Sequence, residues 1–247
     1  MLWEDDNKQN NEFVVPDDVV DLSFRIKCRQ IPTMHALELA EALYKVLPWI
    51  AEDPEIGIHQ IHGAATGNGW ERPPDGEVMH LSNRAKMHLR VPREKIEDTK
   101  QISGETLDIA GHAVEVGDAS VKLLNPIQTL FSRYIIGPQH LDEDQFLDWM
   151  VDELKQRDIH VRKMLCGIGH TITTQDGAVE TRSVMVADLD KATSLSLQET
   201  GIGPGRHFGC GIFLPHKGIR AVGEAEDKSH FTGTSHRPAH GFRIFYA

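Results

Sequence analysis

Strand, helix, strand, strand, helix and strand patterns follow one another twice along this chain of 247 residues. In the first half, residues 19–28 (VVDLSFRIKC) alternate in polarity and are expected to form a strand. A helix is expected over 34–47, because Leu39, Leu43, Val46 and Leu47 recur at helical spacing. Thr33 is its expected cap and Pro48 its expected stop. Strands are expected at 57–65, 80–91 and 106–117, with a glycine- and proline-rich loop at 66–77 and a short helix at 92–99. In the second half, a strand at 127–136 precedes a helix at 142–157, where Asp142 and Gln145 have capping-box spacing. Strands at 161–173 and 179–187 flank the hairpin signal Gln175-Asp176-Gly177. A short helix near 190–199 and a strand at 207–214 complete the set. This order is the ferredoxin-like plan. The expected fold is therefore α+β, with two tandem ferredoxin-like (RRM-like) domains. The expected divisions are an acidic arm at 1–18, domains at 19–122 and 123–222, and an extension at 223–247 whose apolar end docks as a strand.

Charge at first argues against a polyanionic partner, since the net charge is −11. Its distribution reverses that inference. Residues 1–21 hold seven acids against Lys8, and residues 142–158 hold seven against Lys155 and Arg157. These two segments carry the whole excess, so the remainder can present a basic surface to phosphates. No run of about 18 apolar residues is present to span a membrane, and the acidic start is unlike a secretory signal. Cys28, Cys166 and Cys210 form no CxxC pair, which suits free thiols in a reducing cytoplasm.

A basic stripe is the first candidate site. Alternation places Arg25, Lys27 and Arg29 on one face of the first strand. It likewise places Arg84, Lys86, His88 and Arg90 on one face of the strand at 80–91. The first and third strands of a ferredoxin-like sheet are neighbours. These seven side chains, with no acid among them, are expected to share the open face, either to bind phosphates or simply as a solvated surface.

The segment GIGPGRHFGCGIF, residues 201–213, is the second candidate. Gly201, Gly203, Gly205, Gly209 and Gly211 let a backbone approach a ligand closely, with Arg206 and His207 among them. It is not a dinucleotide fingerprint, and no GK[ST] follows to make a Walker loop.

Histidines number 14. The best-spaced pair, His59 and His62, falls on opposite faces of a strand, and no acid or cysteine pair completes a metal set. His35 stands apart because it opens the first helix, where free N–H groups favour an anion. No GxSxG or HExxH occurs, which argues against hydrolases of those classes.

The segments VVDLSFRIKCRQIPTMHALELAEALY, LSNRAKMHLRVP, GETLDIAGHAVEVG and GIGPGRHFGCGIFLP together resemble the CRISPR-associated endoribonucleases of the Cas-six family, and most of all its Myxan-type subgroup. The resemblance covers residues 19–215. It implies an RNA-binding cleft between two ferredoxin-like domains, with the glycine-rich loop at Gly201–Gly211 as part of the RNA site. It implies metal-independent, cofactor-free cleavage of CRISPR repeat hairpins into guide RNAs. In that reaction a 2′-OH attacks the adjacent phosphate, leaving a 2′,3′-cyclic phosphate and a 5′-OH. By resemblance His35 is the acid–base group, with Tyr44 and Lys45 as candidates to assist it and His88 and His207 next in line. Some family members stay on their product within an effector complex. The competing expectations are a non-catalytic scaffold of the same fold that holds guide RNA, and a small-molecule binder whose glycine loop takes a phosphate.

Overall fold

A computed structural model describes residues 13–63, 65–66, 69–70, 77–217 and 245–246. The chain runs through β1 (Val19–Lys27), β2 (Gln30–Pro32), α1 (Ala36–Val46), β3 (Gly57–Ile58), β4 (Ala65–Thr66), β5 (Gly69–Trp70), β6 (Val78–His80), β7 (Lys86–Pro92), α2 (Ile96–Lys100), β8 (Thr106–Ile109) and β9 (His112–Leu123). It continues through β10 (Leu130–Ile135), α3 (Glu143–Gln156), β11 (Lys163–Thr174), β12 (Gly177–Ala187), α4 (Lys191–Thr200), β13 (Leu214–Pro215) and β14 (Phe245–Tyr246). Among the described residues no helix is long and apolar enough to cross a membrane.

Each half builds one five-stranded antiparallel sheet, in the orders β3-β7-β1-β9-β8 and β13-β10-β12-β11-β14. Without the added edge strands β8 and β14, both are ferredoxin-like sheets. In the first, Val20, Leu22, Phe24 and Ile26 of β1 and Met87, Leu89 and Val91 of β7 all face the core. Leu39 and Leu43 of α1 pack on them at 1% and 0% exposure. Burying each such side chain contributes about 1.5–3 kcal/mol. The cross-strand register sets Arg25 beside Lys86, Ser23 beside His88 and Asp21 beside Arg90 on the other face. In the second half, Asp142 and Gln145 form the expected capping box in both directions, at 2.9 and 3.1 Å. Strand β14 pairs with β11 at Lys163 and Met164, so the end of the extension lies on a sheet.

Three local expectations are corrected. Helix α1 begins slightly later than expected, with His35 at its cap. Thr33 does not cap it, because its hydroxyl donates to the Glu77 carbonyl at 2.7 Å. The strand expected at 80–91 is two strands: β6 pairs with β2, a turn at Asn83–Arg84 follows, and β7 joins the main sheet. The strand expected at 207–214 is a 3-10 turn over Arg206–Phe208, with only Leu214–Pro215 extended. Gly209 and Gly211 have φ of +80° and +66°, left-handed values that interrupt an extended run.

Candidate nucleic-acid interface

The open face of the first sheet is closed on one side by the second half of the chain. Between them lies a cavity of about 980 Å³ whose lining includes Asp21, His59, Arg84, Lys86, His88 and Lys122, with Gln198 and Leu214 from the second half. Arg84, Lys86 and Lys122 are exposed and give its rim a positive charge. Its floor holds two imidazoles. The pairing of β3 with β7 continues as a bond from the His59 N–H to the His88 carbonyl at 3.0 Å, and the two rings lie 5.9 Å apart.

Alternation explains this floor, and it also corrects the acid-free stripe. The parity that exposes Arg25 and Lys27 places Asp21 on the same face. Lys27 itself pairs with Glu115 on β9 at 3.0 Å. Arg25, Arg29, Arg84 and Lys86 remain exposed, and His88 is half-buried in the cavity wall.

Arg90 is the main departure from the stripe. It is fully buried, bonded to both carboxylate oxygens of Asp21. It also donates to the carbonyls of Gln198 and Phe213, at 2.8 and 3.0 Å. These bonds join the two halves and leave Arg90 unable to reach an RNA phosphate. Burial alone would raise the Asp21 pKa, but the Arg90 charge and His59 outweigh it and hold the carboxyl well below its usual range. Burial foremost pushes His59 down, against the pull of Asp21. Neutral His59 therefore makes a polar contact with Asp21 at 3.4 Å rather than an ion pair.

The glycine-rich loop is likewise committed to the junction. Arg206 is 9% exposed and donates to the carbonyls of Glu55, Thr200 and Glu199. It bonds backbone on both halves, which corrects its expected role as a phosphate ligand. Its pKa, lowered to about 10 chiefly by burial, leaves it charged at neutral pH. His207 bonds the Asp53 carbonyl through Nε2 and the Tyr44 hydroxyl through Nδ1, at 2.8 and 2.7 Å. A carbonyl only accepts, so Nε2 carries the proton and the Tyr44 O–H donates to Nδ1. A Cβ on Gly201 would lie 2.3 Å from the Gly211 oxygen, and one on Gly211 would lie 2.2 Å from the Ile202 oxygen. Gly203, Gly205 and Gly209 would meet Ile136, Ile136 again and Gln60 at 2.6, 2.8 and 3.0 Å. The loop's glycines thus permit close protein-on-protein packing.

The three residues expected to catalyse do not converge. His35 has 0% exposure; its Nδ1 lies 2.8 Å from the Pro32 carbonyl and its Nε2 accepts the Ile61 N–H at 3.0 Å. It borders a cavity of about 130 Å³ shared with Thr171, Ile172 and Thr173 of β11. As placed, both ring nitrogens are held by backbone. Tyr44 and exposed Lys45 sit at the far end of α1, about 15 Å along its axis from His35. Sequence reasoning missed Asp21, His59 as a cavity residue, and Lys122. The parity of β1 already contained Asp21; His59 and Lys122 arrive only through strand pairing. Among the described residues no group of three or more His, Cys, Asp or Glu side chains is placed to hold a metal ion.

Comparison with known proteins assigns this architecture. The family described as Cas6 Crispr matches residues 20–218. A curated relative, the CRISPR-associated endonuclease Cas6 of Myxococcus xanthus (strain DK1622), is 28% identical over 196 residues, covering 79% of this chain and 81% of that protein. A solved structure named CRISPR associated protein Cas6 superposes with a TM-score of 0.57 at 11% identity, over 81% of this chain and all of that one. A second, titled as an RAMP protein binding different RNA substrates, gives 0.54 at 11% identity, over 79% of this chain and 98% of that one. Two ferredoxin-like sheets joined over a basic cleft, within a family match that spans most of the chain, identify this protein as a member of the Cas6 family.

Proposed function

We propose that this protein is an endoribonuclease that cuts CRISPR repeat hairpins in precursor transcripts to give guide RNAs, without a metal ion. The observation that carries this is the cavity of about 980 Å³, rimmed by Arg84, Lys86 and Lys122 and floored by His59 and His88, in a chain of this family. A basic rim attracts the RNA backbone, and a neutral imidazole has a ring nitrogen that can accept a proton. The 2′-OH attacks its own phosphodiester, and the products are a 2′,3′-cyclic phosphate and a 5′-OH. On this reading the two folding units divide at 122/123, the reaction takes place in the cytoplasm, and other CRISPR effector subunits are candidate partners alongside the RNA.

The test is cleavage of a labelled hairpin from the neighbouring CRISPR repeat in the presence of chelator. Cutting at one position supports the proposal. Binding without cutting favours a non-catalytic guide-RNA scaffold instead, and a protein that neither binds nor cuts is left as a small-molecule binder. Changing Arg25, Arg84 and Lys86 together to Ala should flatten the salt dependence of RNA binding. The slope should fall by roughly 0.7–0.9 of a log unit for each phosphate no longer neutralised. Unchanged affinity at low salt would place the RNA elsewhere.

A further inference from the structure

Three histidines compete for proton transfer, and the structure separates them. His35 has both ring nitrogens against backbone groups and no exposed surface. His207 is bonded at both nitrogens and ties Tyr44 to Asp53. His88 is half-buried in the wall of the large cavity, and no group among the described residues hydrogen-bonds its ring. Its neighbour on the same face is Lys86, two residues before it on β7, which puts the two attachment points about 7 Å apart. That spacing lets two side chains reach opposite sides of one phosphodiester. Across the sheet, His88 faces Ser23, which is buried.

We propose that His88 is the catalytic base of RNA cleavage in this protein and Lys86 its catalytic acid. The assignment rests on the endoribonuclease proposed above. The 2′-OH proton moves to a ring nitrogen of His88 as the 2′-oxygen forms its bond to phosphorus. The bond from phosphorus to the 5′-oxygen breaks, its electron pair stays on that oxygen, and the oxygen takes a proton from the Lys86 ammonium. Return of the proton from the His88 imidazolium to the Lys86 amine restores both groups. Arg84 and Lys122 on the rim neutralise the charge that builds on the phosphorane oxygens.

The electrostatics of the site keep His88 neutral. The groups that face His88 are Lys86 on its own strand, Asp21 on β1, Lys122 on β9 and His59 beside β3. Burial first, then His59 and Lys122, lower the His88 pKa to about 4. The ring is therefore neutral at pH 7, with one nitrogen free of a proton.

The experiment is single-turnover cleavage of a labelled repeat hairpin, with chelator, by the full-length protein and by His88→Ala, His88→Gln and Lys86→Ala. The His88 variants should cut roughly 100- to 10,000-fold more slowly, the usual worth of a positioned acid or base. Hairpin affinity of the His88 variants, which also reports the folded state, should stay within about threefold, and Lys86→Ala should lose more in rate than in affinity. Imidazole added to the buffer should restore part of the His88→Ala rate. The wild-type rate should hold level from pH 7 to about 5 and fall as pH approaches the His88 value of about 4, and the residual His88→Gln rate should lack that limb. A wild type that cuts beside a His88→Gln that cuts equally fast overturns this assignment alone. So does a rate loss matched by an equal loss of affinity. A wild type that binds the hairpin but never cuts overturns the endoribonuclease proposal and this assignment with it.

Discussion

Arg90 and Asp21 meet through two parallel hydrogen bonds, Nε to Oδ1 at 2.8 Å and Nη2 to Oδ2 at 3.0 Å. The pair lies between the halves of the protein: Asp21 lines the cleft, while the remaining Arg90 donor reaches Gln198 and Phe213 on the other side. A planar guanidinium is suited to this, because it can grip a carboxylate with one edge and carbonyls with another. A lysine offers no such fork.

Arg90→Ala should therefore destabilise the protein by about 3–5 kcal/mol, since it strands a half-buried carboxylate and two carbonyls. Arg90→Lys should recover only part of the loss. Denaturant titration checks both. A stability equal to wild type, with RNA affinity reduced instead, would return Arg90 to the RNA-binding face.

Acid should loosen the cleft before it affects the rest of the molecule. His59 and His88 both have native pKa values below the ordinary 6.5, chiefly through burial, and His88 lies at about 4. Between about pH 6.5 and 4 the unfolded chain therefore binds more protons than the native state, so stability falls as pH falls. Asp21 acts in the same direction lower down: its native pKa is depressed, so its contribution is present above about 3.9 and disappears below it. The melting temperature should decline steadily from pH 7 to 4, and His88→Gln should shallow that decline. A melting temperature that holds level from pH 7 to 4.5 would contradict these buried neutral imidazoles.

The glycine-rich loop should respond to substitution as a structural joint. Gly211 has φ +66° and would place a Cβ 2.2 Å from the Ile202 carbonyl oxygen. Gly104 has φ +91° with open space around it. Gly104→Ala should thus carry only the backbone cost, about 1–2 kcal/mol, and Gly211→Ala that cost plus displacement of a carbonyl. Thermal melts of the two variants give the ordering. If Gly211→Ala melts like wild type and fails only to bind RNA, the loop's glycines serve the ligand and not the joint.

Much of this was legible in residue order. The doubled strand–helix plan, the cap at Asp142, the two-residue turn before Gly177 and the buried parity of Val20, Leu22, Phe24 and Ile26 all rest on neighbours within a few positions. Local geometry alone dictates them, through a period of two in strands and 3.6 in helices. The same parity already held Asp21 on the face of Arg25 and Lys27, and only the emphasis on basic residues hid it.

What chemistry each polar side chain performs was decided by partners far along the chain. Arg90 and Lys86 share a face of β7, yet one is buried at the joint and the other is exposed, because Gln198 and Phe213 close over only one end of the strand. Arg206 and His207 look like phosphate ligands in sequence, but Glu55 and Asp53, some 150 residues earlier, offer their carbonyls. His35 opens a helix as expected, and Ile61 then occupies the nitrogen an anion would need. A local pattern determines which way a side chain points. Whether it meets water, RNA or a backbone carbonyl depends on which distant segment arrives there, and burying an unpaired donor or acceptor costs enough to fix that choice in the tertiary fold.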